Sequence, residues 1–383
     1  MLTLLPVFCI VLVYAYKLEL LTNPGFLLNV IFALLISIMS VVEGMVITPD
    51  FFYVRLDEAW FYRESISGLD YIFNNHFRYF LYLAYSNVSY LLGGDYIFKF
   101  HLIPFALLTS LILFDITKLK SVLYFFPIVF GYIYFLSTIH MRDMLIVFFC
   151  LFFLFKLAKS EKPIIVIFFT ILFFLTLRAE FIFVFLITYF WMKSESILNK
   201  GFLVNYFIPG FLIIVFISLP NFTDLVIGIS DLFFPGRMRI YLALRSEEVT
   251  KLPFLTENAS SIIRQLITPF PWSKIRSLLT EPMGTNLYFK EIFRVIMMST
   301  YFLMIFYLSF NLRKVLEIMN ENKFLRLLFA VSIQITILYA IFGDGGGASR
   351  NKLFPIILVF LIFNYLINYK KSFKLKELYE NPS

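Results

Sequence analysis

The sequence predicts an all-α, polytopic integral membrane protein with about eleven transmembrane helices. Hydrophobic residues make up 60% of the 383 residues, whereas soluble domains contain about 45–50%. The mean hydropathy is +0.85, phenylalanine alone occurs 51 times, and charged residues make up only 15% of the chain. An apolar excess of this size does not fit inside one water-soluble core, so we expect lipid to solvate much of the surface.

The predicted spans are apolar runs that approach the length needed to cross the hydrocarbon core, about 20 residues each. In chain order they lie near residues 2–16, 26–48, 97–116, 121–139, 144–158, 163–177, 181–192, 202–219, 295–310, 325–343 and 353–369. The first run begins at Met1 without a basic leader or a small-residue cleavage site, which favours a retained span over a signal peptide. The runs 163–177 and 181–192 are short, and they could instead be two halves of one broken element. We treat residues 1–383 as a single transmembrane domain.

Basic residues orient these spans, because short cytoplasmic loops of membrane proteins are enriched in Lys and Arg. One set of loops, together with the tail 370–383, holds 16 Lys and Arg, and the short loops opposite hold eight. We therefore predict an extracytoplasmic N-terminus, a cytoplasmic tail, and long extracytoplasmic loops at about 49–96 and 220–294. The first loop is expected to carry a helix that lies on or dips into the membrane, and the second to carry short amphipathic helices that lie over a cavity.

Lys and Arg are not distributed alike between the two predicted sides. Of 19 Lys, 14 are cytoplasmic, whereas 12 of 14 Arg are extracytoplasmic, all except Arg313 and Arg326. A topology signal needs only positive charge and does not distinguish the two residue types. The planar guanidinium group is suited to bidentate recognition of phosphate and carboxylate groups. The arginine bias therefore predicts an anionic ligand on the extracytoplasmic face.

Five arginines are the candidate ligands of this anion. They are Arg142, Arg178, Arg237, Arg239 and Arg350. The first two stand in tight turns between apolar runs, next to Asp143 and near Glu180 respectively, and the last follows the sequence GDGGGAS. The alternative is that the Arg–Asp and Arg–Glu pairs only cap helix ends, and that the basic patch at 237–239 touches anionic lipid headgroups.

Carboxylates and aromatic residues supply the remaining candidate chemistry. Asp57 and Glu58 are adjacent in YVRLDEAWFYRES and are candidate general bases, the alternative being ordinary ion pairs in a solvated loop. Trp60, Arg264 and Trp272 are the candidate contacts to sugar or acceptor, because the apolar faces of sugar rings stack on aromatic side chains. For the tryptophans, anchoring at the membrane interface is the alternative.

No metal or cofactor is predicted. Cys9 and Cys150 both fall inside apolar runs, and the chain has only three histidines. The glycines at 345–347 could cradle a phosphate group, but they lack the preceding strand and following GK[ST] of a nucleotide-binding loop. These residue types match a lipid-linked diphosphate sugar. A Phe-rich surface suits the polyprenyl tail, arginines at headgroup depth suit the diphosphate, and aromatic residues with carboxylates at the water boundary suit the sugars.

This layout resembles the Wzy-type repeat-unit polymerases of O-antigen and capsule assembly, and more loosely the GT-C-like membrane glycosyltransferases. The resemblance covers nearly the whole chain. It rests on the number of predicted spans, about eleven, on the large extracytoplasmic loop at 220–294, and on the arginines scattered over the predicted extracytoplasmic side. Asp57-Glu58 and the MRD of residues 141–143 are also similar to motifs of EpsG-like polysaccharide polymerases. O-antigen ligases of similar layout typically use a histidine in the large outer loop, and residues 220–294 contain none.

The resemblance implies polymerisation of undecaprenyl-diphosphate-linked oligosaccharide at the periplasmic face of the bacterial inner membrane. A hydroxyl group of one repeat unit attacks the anomeric carbon of another, and undecaprenyl diphosphate leaves. The implied partners are the lipid-linked oligosaccharide and membrane lipid, with a chain-length regulator and a flippase as candidate protein partners. No cofactor, metal or nucleic acid is implied.

Two other functions stay open. One is a GT-C glycosyltransferase with a polyprenyl-phosphate sugar donor and Asp57 or Glu58 as base, although its usual plan places the acidic motif after the first span, and here two spans precede it. The other is a non-catalytic flippase or transporter of lipid-linked glycans. Transporters commonly have repeated halves and polar residues near the bilayer midplane, and the sequence suggests neither.

Overall fold

The computed structural model describes residues 4–47, 56–138, 143–160, 162–178, 180–198, 201–217, 262, 275, 288–342 and 352–369. These residues form helices joined by turns, and they include no strand. The prediction of an all-α protein is therefore confirmed.

The described residues belong to two compact units. The first draws on Met1–Phe183, Pro271–Phe310 and Phe360–Ser383, and the second on Val184–Phe270 and Asn311–Val359. In chain order the α-helices are α1 (Leu4–Lys17), α2 (Pro24–Ile47), α3 (Leu56–Ile66), α4 (Leu69–Asn75), α5 (Phe80–Phe100), α6 (Ile103–Thr117), α7 (Lys120–Val129), α8 (Gly131–Leu136), α9 (Asp143–Lys159), α10 (Pro163–Leu175), α11 (Glu180–Leu198), α12 (Ile208–Ile217), α13 (Tyr288–Ser309), α14 (Leu312–Glu321), α15 (Lys323–Phe342) and α16 (Leu353–Ile367).

Two helices in the described part of the chain are long and apolar enough to cross a membrane. They are Pro24–Glu43 within α2 and Phe289–Ser309 within α13. Further apolar helices run for only 10–17 residues, less than the roughly 20 residues that a span needs. The structure thus supports two such helices by length and composition, and the larger number of spans stays a prediction.

Apolar side chains also cover the outside of several helices. On α10, Ile164, Phe168 and Leu172 follow one another at four-residue spacing, which places them on one helix face, and they are 69%, 62% and 55% exposed. Leu34 and Ile38 on α2 are exposed to a similar degree. Soluble monomers rarely expose continuous apolar stripes of this kind, so these faces require lipid or another apolar surface against them.

A proline inside α7 leaves a carbonyl group that another helix satisfies. Pro127 has no N–H, so it cannot donate to the Leu123 carbonyl four residues earlier. The buried Asn29 on α2 donates to this carbonyl from Nδ2 at 2.7 Å. The same nitrogen lies 2.7 Å from the Gly25 carbonyl, and the Tyr134 hydroxyl donates to Asn29 Oδ1 at 2.7 Å. Asn29 therefore joins α2 to α7 and α8.

The break between α7 and α8 receives the start of α13. A Cβ atom at Gly131 would lie 2.7 Å from Cδ1 of Phe293 and 3.1 Å from Cε1 of Phe32, so a larger residue would push these rings away. Phe293 in turn makes an edge contact with Phe32, with ring centres 6.0 Å apart. The first turns of α13 are thus held against α2 and α8.

Helix α5 reverses direction at Gly94. A straight helix would separate residues 86 and 101 by about 22 Å, yet Ser86 Oγ and His101 Nε2 are 3.0 Å apart, and the Tyr85 hydroxyl donates to the His101 carbonyl at 2.7 Å. Gly94 has a φ of 63° and a ψ of −160°, a conformation essentially restricted to glycine. The reversal lies at the end of the predicted loop 49–96, and the second arm of this helical hairpin extends to Phe100, inside the predicted span 97–116.

We expect Gly94→Ala to destabilise this hairpin by about 1–3 kcal/mol, because alanine disfavours the backbone conformation of the reversal. Among the described residues, no atom beyond its chain neighbours lies within 4 Å of the added Cβ, so the cost is backbone strain. Thermal unfolding of the purified chain in detergent measures the effect. Gly93→Ala, at the preceding helical position, is the control and should be neutral or slightly stabilising. Equal unfolding temperatures for Gly94→Ala and wild type would show that the backbone conformation at Gly94 does not disfavour alanine.

In the second unit, a polar network surrounds Glu195. Its Oε1 lies 2.6 Å from Arg326 Nε, and the Tyr206 hydroxyl donates to its Oε2 at 2.5 Å. Arg326 also donates to the Met319 carbonyl at 3.1 Å, near the end of α14. Arg326 is one of the two arginines predicted to be cytoplasmic, and its contacts are those of a residue that joins helices.

Candidate anion-binding site

Of the residues predicted to bind substrate, the structure describes the side chains of Arg178 and Trp60. Asp57 and Glu58 lie on the first turn of α3, and only their backbone is described. The remaining candidates lie outside the described residues: Arg142, Arg237, Arg239, Arg350, Arg264 and Trp272.

Arg178 lies just after the end of α10 and forms an ion pair with the start of α9. Its Nη1 is 3.6 Å from Asp143 Oδ1, and both side chains are mostly buried. The guanidinium carbon lies 5.9 Å from the ring centre of Phe181, within the range of a cation–π contact. The alternative considered from the sequence is that each arginine pairs with the carboxylate of its own turn and caps a helix end. In the structure the arginine of one turn pairs with the aspartate of the other.

The helical hairpin of α5 contacts the same turn. The Leu81 N–H group, at the start of α5, donates to the Thr176 carbonyl at 3.2 Å, two residues before Arg178. Asn87 of α5 donates from Nδ2 to the Ser65 carbonyl of α3 at 2.6 Å. The helix that carries Asp57 and Glu58 therefore packs on a helix that begins beside Arg178.

Trp60 packs into an aromatic cluster rather than standing alone at the surface. Its ring centre lies 4.9 Å from that of Phe61, 5.5 Å from that of His76 and 5.7 Å from that of Tyr79, all in edge-to-face geometry. Such pairs stabilise a fold beyond simple area burial. The contacts of Trp60 give it a structural role, and its predicted contact with sugar stays a prediction.

A buried carboxylate, Glu64, joins α3 to the residue that follows α4. Its Oε2 lies 2.8 Å from His76 Nε2, and its Oε1 accepts a hydrogen bond from Arg63 Nε at 3.0 Å. Burial would raise the pKa of Glu64, but the hydrogen bonds from Arg63 and His76 outweigh burial and hold the pKa below its ordinary value. Glu64 is therefore an ionised, paired carboxylate at neutral pH.

A second ionic cluster, which the sequence analysis did not identify, lies at the start of α13. It comprises Glu43 of α2 and Lys290, Glu291 and Arg294 of α13. Glu43 Oε1 accepts a hydrogen bond from the Phe289 N–H group at 2.7 Å. Arg294 Nη1 lies 3.1 Å and 3.2 Å from the two oxygens of Glu291, and Lys290 Nζ lies 3.7 Å from Glu291 Oε1.

Burial makes this cluster unusual. Glu43, Lys290 and Arg294 are only 6%, 7% and 8% exposed. Removing an ion from water costs several kcal/mol even after relaxation, so such groups persist only when opposite charges or hydrogen bonds compensate. Buried ionisable groups at the end of an apolar helix are by default candidates for a functional site. The predicted ninth span began at residue 295 because hydropathy interprets Lys290, Glu291 and Arg294 as water-facing.

Chain connectivity relates the two ionic groups to each other. The Thr138 hydroxyl donates to Ser40 Oγ at 2.8 Å, one turn before Glu43. Only four residues, 139–142, separate Thr138 from Asp143 in the chain, so we assign both ionic groups to the same end of the first unit. We call this end the arginine end, defined by Ser40, Glu43, Thr138, Asp143, Arg178 and the first two turns of α13.

Hydrogen bonds at the other end of the same unit are of a different kind. Tyr14 donates to Asp115 Oδ2 at 2.7 Å, and Asn368 donates to Ser121 Oγ at 3.0 Å. Asp115 also pairs with Lys118. These contacts join helix ends that the sequence assigns to the cytoplasmic side, and none of these three contacts uses an arginine.

In the described ranges, no group of three or more His, Cys, Asp and Glu side chains could hold a metal ion. Comparison of the chain with models of protein families, with curated proteins and with solved structures gave no match. The geometry of the arginine end and the sequence are therefore the basis for assigning a function.

Proposed function

We propose that the protein polymerises undecaprenyl-diphosphate-linked oligosaccharide repeat units into a surface polysaccharide. The reaction takes place at the extracytoplasmic face of the bacterial inner membrane, with the N-terminus outside and the tail 370–383 inside. The main support is that two mostly buried ionic groups, which contain Arg178 and Arg294, are assigned to a single end of an apolar helical unit.

The chemistry of the substrate matches this arrangement. The polyprenyl chain needs an apolar surface, and α2 and α10 present exposed apolar faces. The diphosphate group needs cations at headgroup depth, where a charge costs less than at the centre of a bilayer. Guanidinium groups are the side chains best suited to bind it, through paired hydrogen bonds to the phosphate oxygens.

The reaction itself needs little beyond placement and charge stabilisation. The acceptor hydroxyl oxygen forms a bond to the anomeric carbon of the donor, and the bond from that carbon to the diphosphate oxygen breaks. The hydroxyl proton passes to a base, for which Asp57 or Glu58 is the candidate. Negative charge develops on the leaving undecaprenyl diphosphate, and Arg178 with the outer arginines stabilises it.

Reconstitution tests the proposal directly. The full chain in lipid vesicles is supplied with undecaprenyl-diphosphate repeat units extracted from cells that lack this gene. We expect a ladder of glycan lengths and one undecaprenyl diphosphate released for each new linkage. Consumption of only a polyprenyl-monophosphate sugar would overturn the proposal in favour of the GT-C alternative. Transfer of the lipid across the vesicle without elongation would overturn it in favour of a flippase.

A further inference from the structure

We infer that Arg294, together with Lys290, is a further substrate-binding residue and takes a phosphate group of the lipid-linked carrier. The inference rests on the proposed function and extends it to residues of α13 that lie outside the loop arginines. It follows from the geometry, burial and anchoring of the first two turns of this helix.

Lys290 and Arg294 are four residues apart on α13, so their side chains extend from the same face of the helix. The Arg294 side chain is nine-tenths buried, and its Nη1 is engaged by Glu291. Its Nε is also buried and has no hydrogen-bond partner among the described residues. A guanidinium group carries five N–H donors, and each buried donor left unsatisfied costs about 1–3 kcal/mol.

A phosphate group would satisfy such donors. It offers several acceptor oxygens, and the planar fork of Arg294 can donate from Nε and a terminal nitrogen at the same time. Glu291 occupies one nitrogen of the fork and so fixes the plane of the guanidinium group. The cation is therefore held in place before the ligand binds, which lowers the entropic cost of binding.

The backbone beneath these side chains is also fixed. Phe293, next to Arg294, fits against Gly131 with no room for a Cβ atom. On the other side, the Glu43 carboxylate accepts the Phe289 N–H group at the start of the helix. Helix α13 therefore cannot shift along its axis without losing one of these contacts, and the cations at 290 and 294 stay at the arginine end.

The competing explanation is an internal ion pair that only stabilises the end of α13. The double variant Glu291→Gln/Arg294→Gln separates the two explanations, because removal of one charge of each sign leaves the net charge of the buried cluster unchanged and is tolerated better than removal of Arg294 alone. The matched control is the double variant Arg313→Gln/Glu317→Gln on α14. These residues form an exposed ion pair one helical turn apart, with Arg313 Nε 3.3 Å from Glu317 Oε1.

Binding is measured with the full chain in nanodiscs made of neutral lipid, with undecaprenyl diphosphate as the probe. We expect the Glu291/Arg294 double variant to bind about tenfold more weakly than wild type, the loss of one charge-assisted contact, with the control within about twofold. The same binding measurement is made with undecaprenyl monophosphate, with inorganic pyrophosphate, and in nanodiscs that contain phosphatidylglycerol. Tight binding of pyrophosphate alone would identify a free phosphate as ligand, and competition by phosphatidylglycerol would identify an ordinary lipid headgroup; either would overturn the assignment to the carrier.

Arg294→Lys serves as a second variant in case the double variant does not fold. It keeps the charge but removes Nε and the planar fork, so we expect weaker binding at an unchanged unfolding temperature. Wild-type affinity in both variants would overturn the inference. If wild type elongates repeat units and the variants bind and elongate normally, the inference fails while the proposed function stands. If wild type does not bind undecaprenyl diphosphate, both fail.

Discussion

Arg178→Ala is expected to abolish long-chain glycan in cells while the level of the protein in the membrane stays unchanged. The side chain is mostly buried at the arginine end, beside Asp143 and two residues from the contact between Thr176 and the start of α5. Loss of one group that stabilises developing negative charge typically lowers a rate by about 100- to 1,000-fold. Arg142→Ala is expected to have the same effect. Glycan length is read on gels, and protein level by immunoblot.

Variants of Asp143 distinguish substrate binding from simple helix capping. If Arg178 only neutralises Asp143, then Asp143→Ala in the same chain should restore activity to Arg178→Ala, because no unpaired charge is left. If Arg178 binds the diphosphate, the double variant should remain inactive. Arg313→Ala, which alters an exposed arginine on α14, is the control and should retain full polymer length. Full-length glycan in Arg178→Ala, or its return in the double variant, would contradict the proposed role.

Asn29→Leu is expected to be the most destabilising conservative change in the first unit, with a cost of about 2–4 kcal/mol. The substitution keeps the number and branching of the side-chain heavy atoms but removes the hydrogen bonds to the Leu123 and Gly25 carbonyls and to the Tyr134 hydroxyl. The Leu123 carbonyl is then left without the donor that replaces the missing N–H of Pro127. Unfolding of the purified chain in detergent measures the loss.

The proline itself provides the test of this explanation. Pro127→Ala restores an N–H group that can donate to the Leu123 carbonyl within α7. The double variant Asn29→Leu/Pro127→Ala should therefore recover part of the stability lost in Asn29→Leu, with a coupling energy of about 1 kcal/mol or more. Strictly additive effects would show that the Asn29 side chain does not compensate for the proline.

Some of the fold could be predicted from composition and apolar runs alone. The predicted span 144–158 matches α9 (Asp143–Lys159), and 163–177 matches α10 (Pro163–Leu175) closely. Both are bounded by charged residues or by a proline at the first turn, which are local signals. Helix ends defined by such residues can be predicted from the sequence.

Other features depend on contacts that sequence patterns do not report. The run 121–139 is uniformly apolar, yet it forms two helices because Pro127 and Gly131 interrupt it and α13 packs into the break. Helix α13 begins at Tyr288, before the predicted span, because its early charges are paired and buried. Hydropathy measures the cost of placing a single residue in lipid. It does not include the ion pairs and hydrogen bonds, made by residues distant in the chain, that lower this cost.

The candidate site was only partly predictable for the same reason. The sequence identifies Arg178 and Asp143 as charged residues at tight turns, but it cannot show that they pair with each other across two helices. Glu43 and Arg294 are far apart in the chain, and only the packing of α2 against α13 brings their ends together. Residue type is available from the sequence and the side of the membrane stays a prediction, whereas the pairing of residues required the fold.

The hydrogen bond from Asn29 to the Leu123 carbonyl fixes the vertical register of α2. Apolar helix surfaces slide past one another at little cost, but a slip of one residue moves a helix by about 1.5 Å and breaks a bond of 2.7 Å. Glu43 lies about 21 Å further along the same rigid rod. A single amide near one end of α2 thus sets the axial position of a carboxylate near its other end.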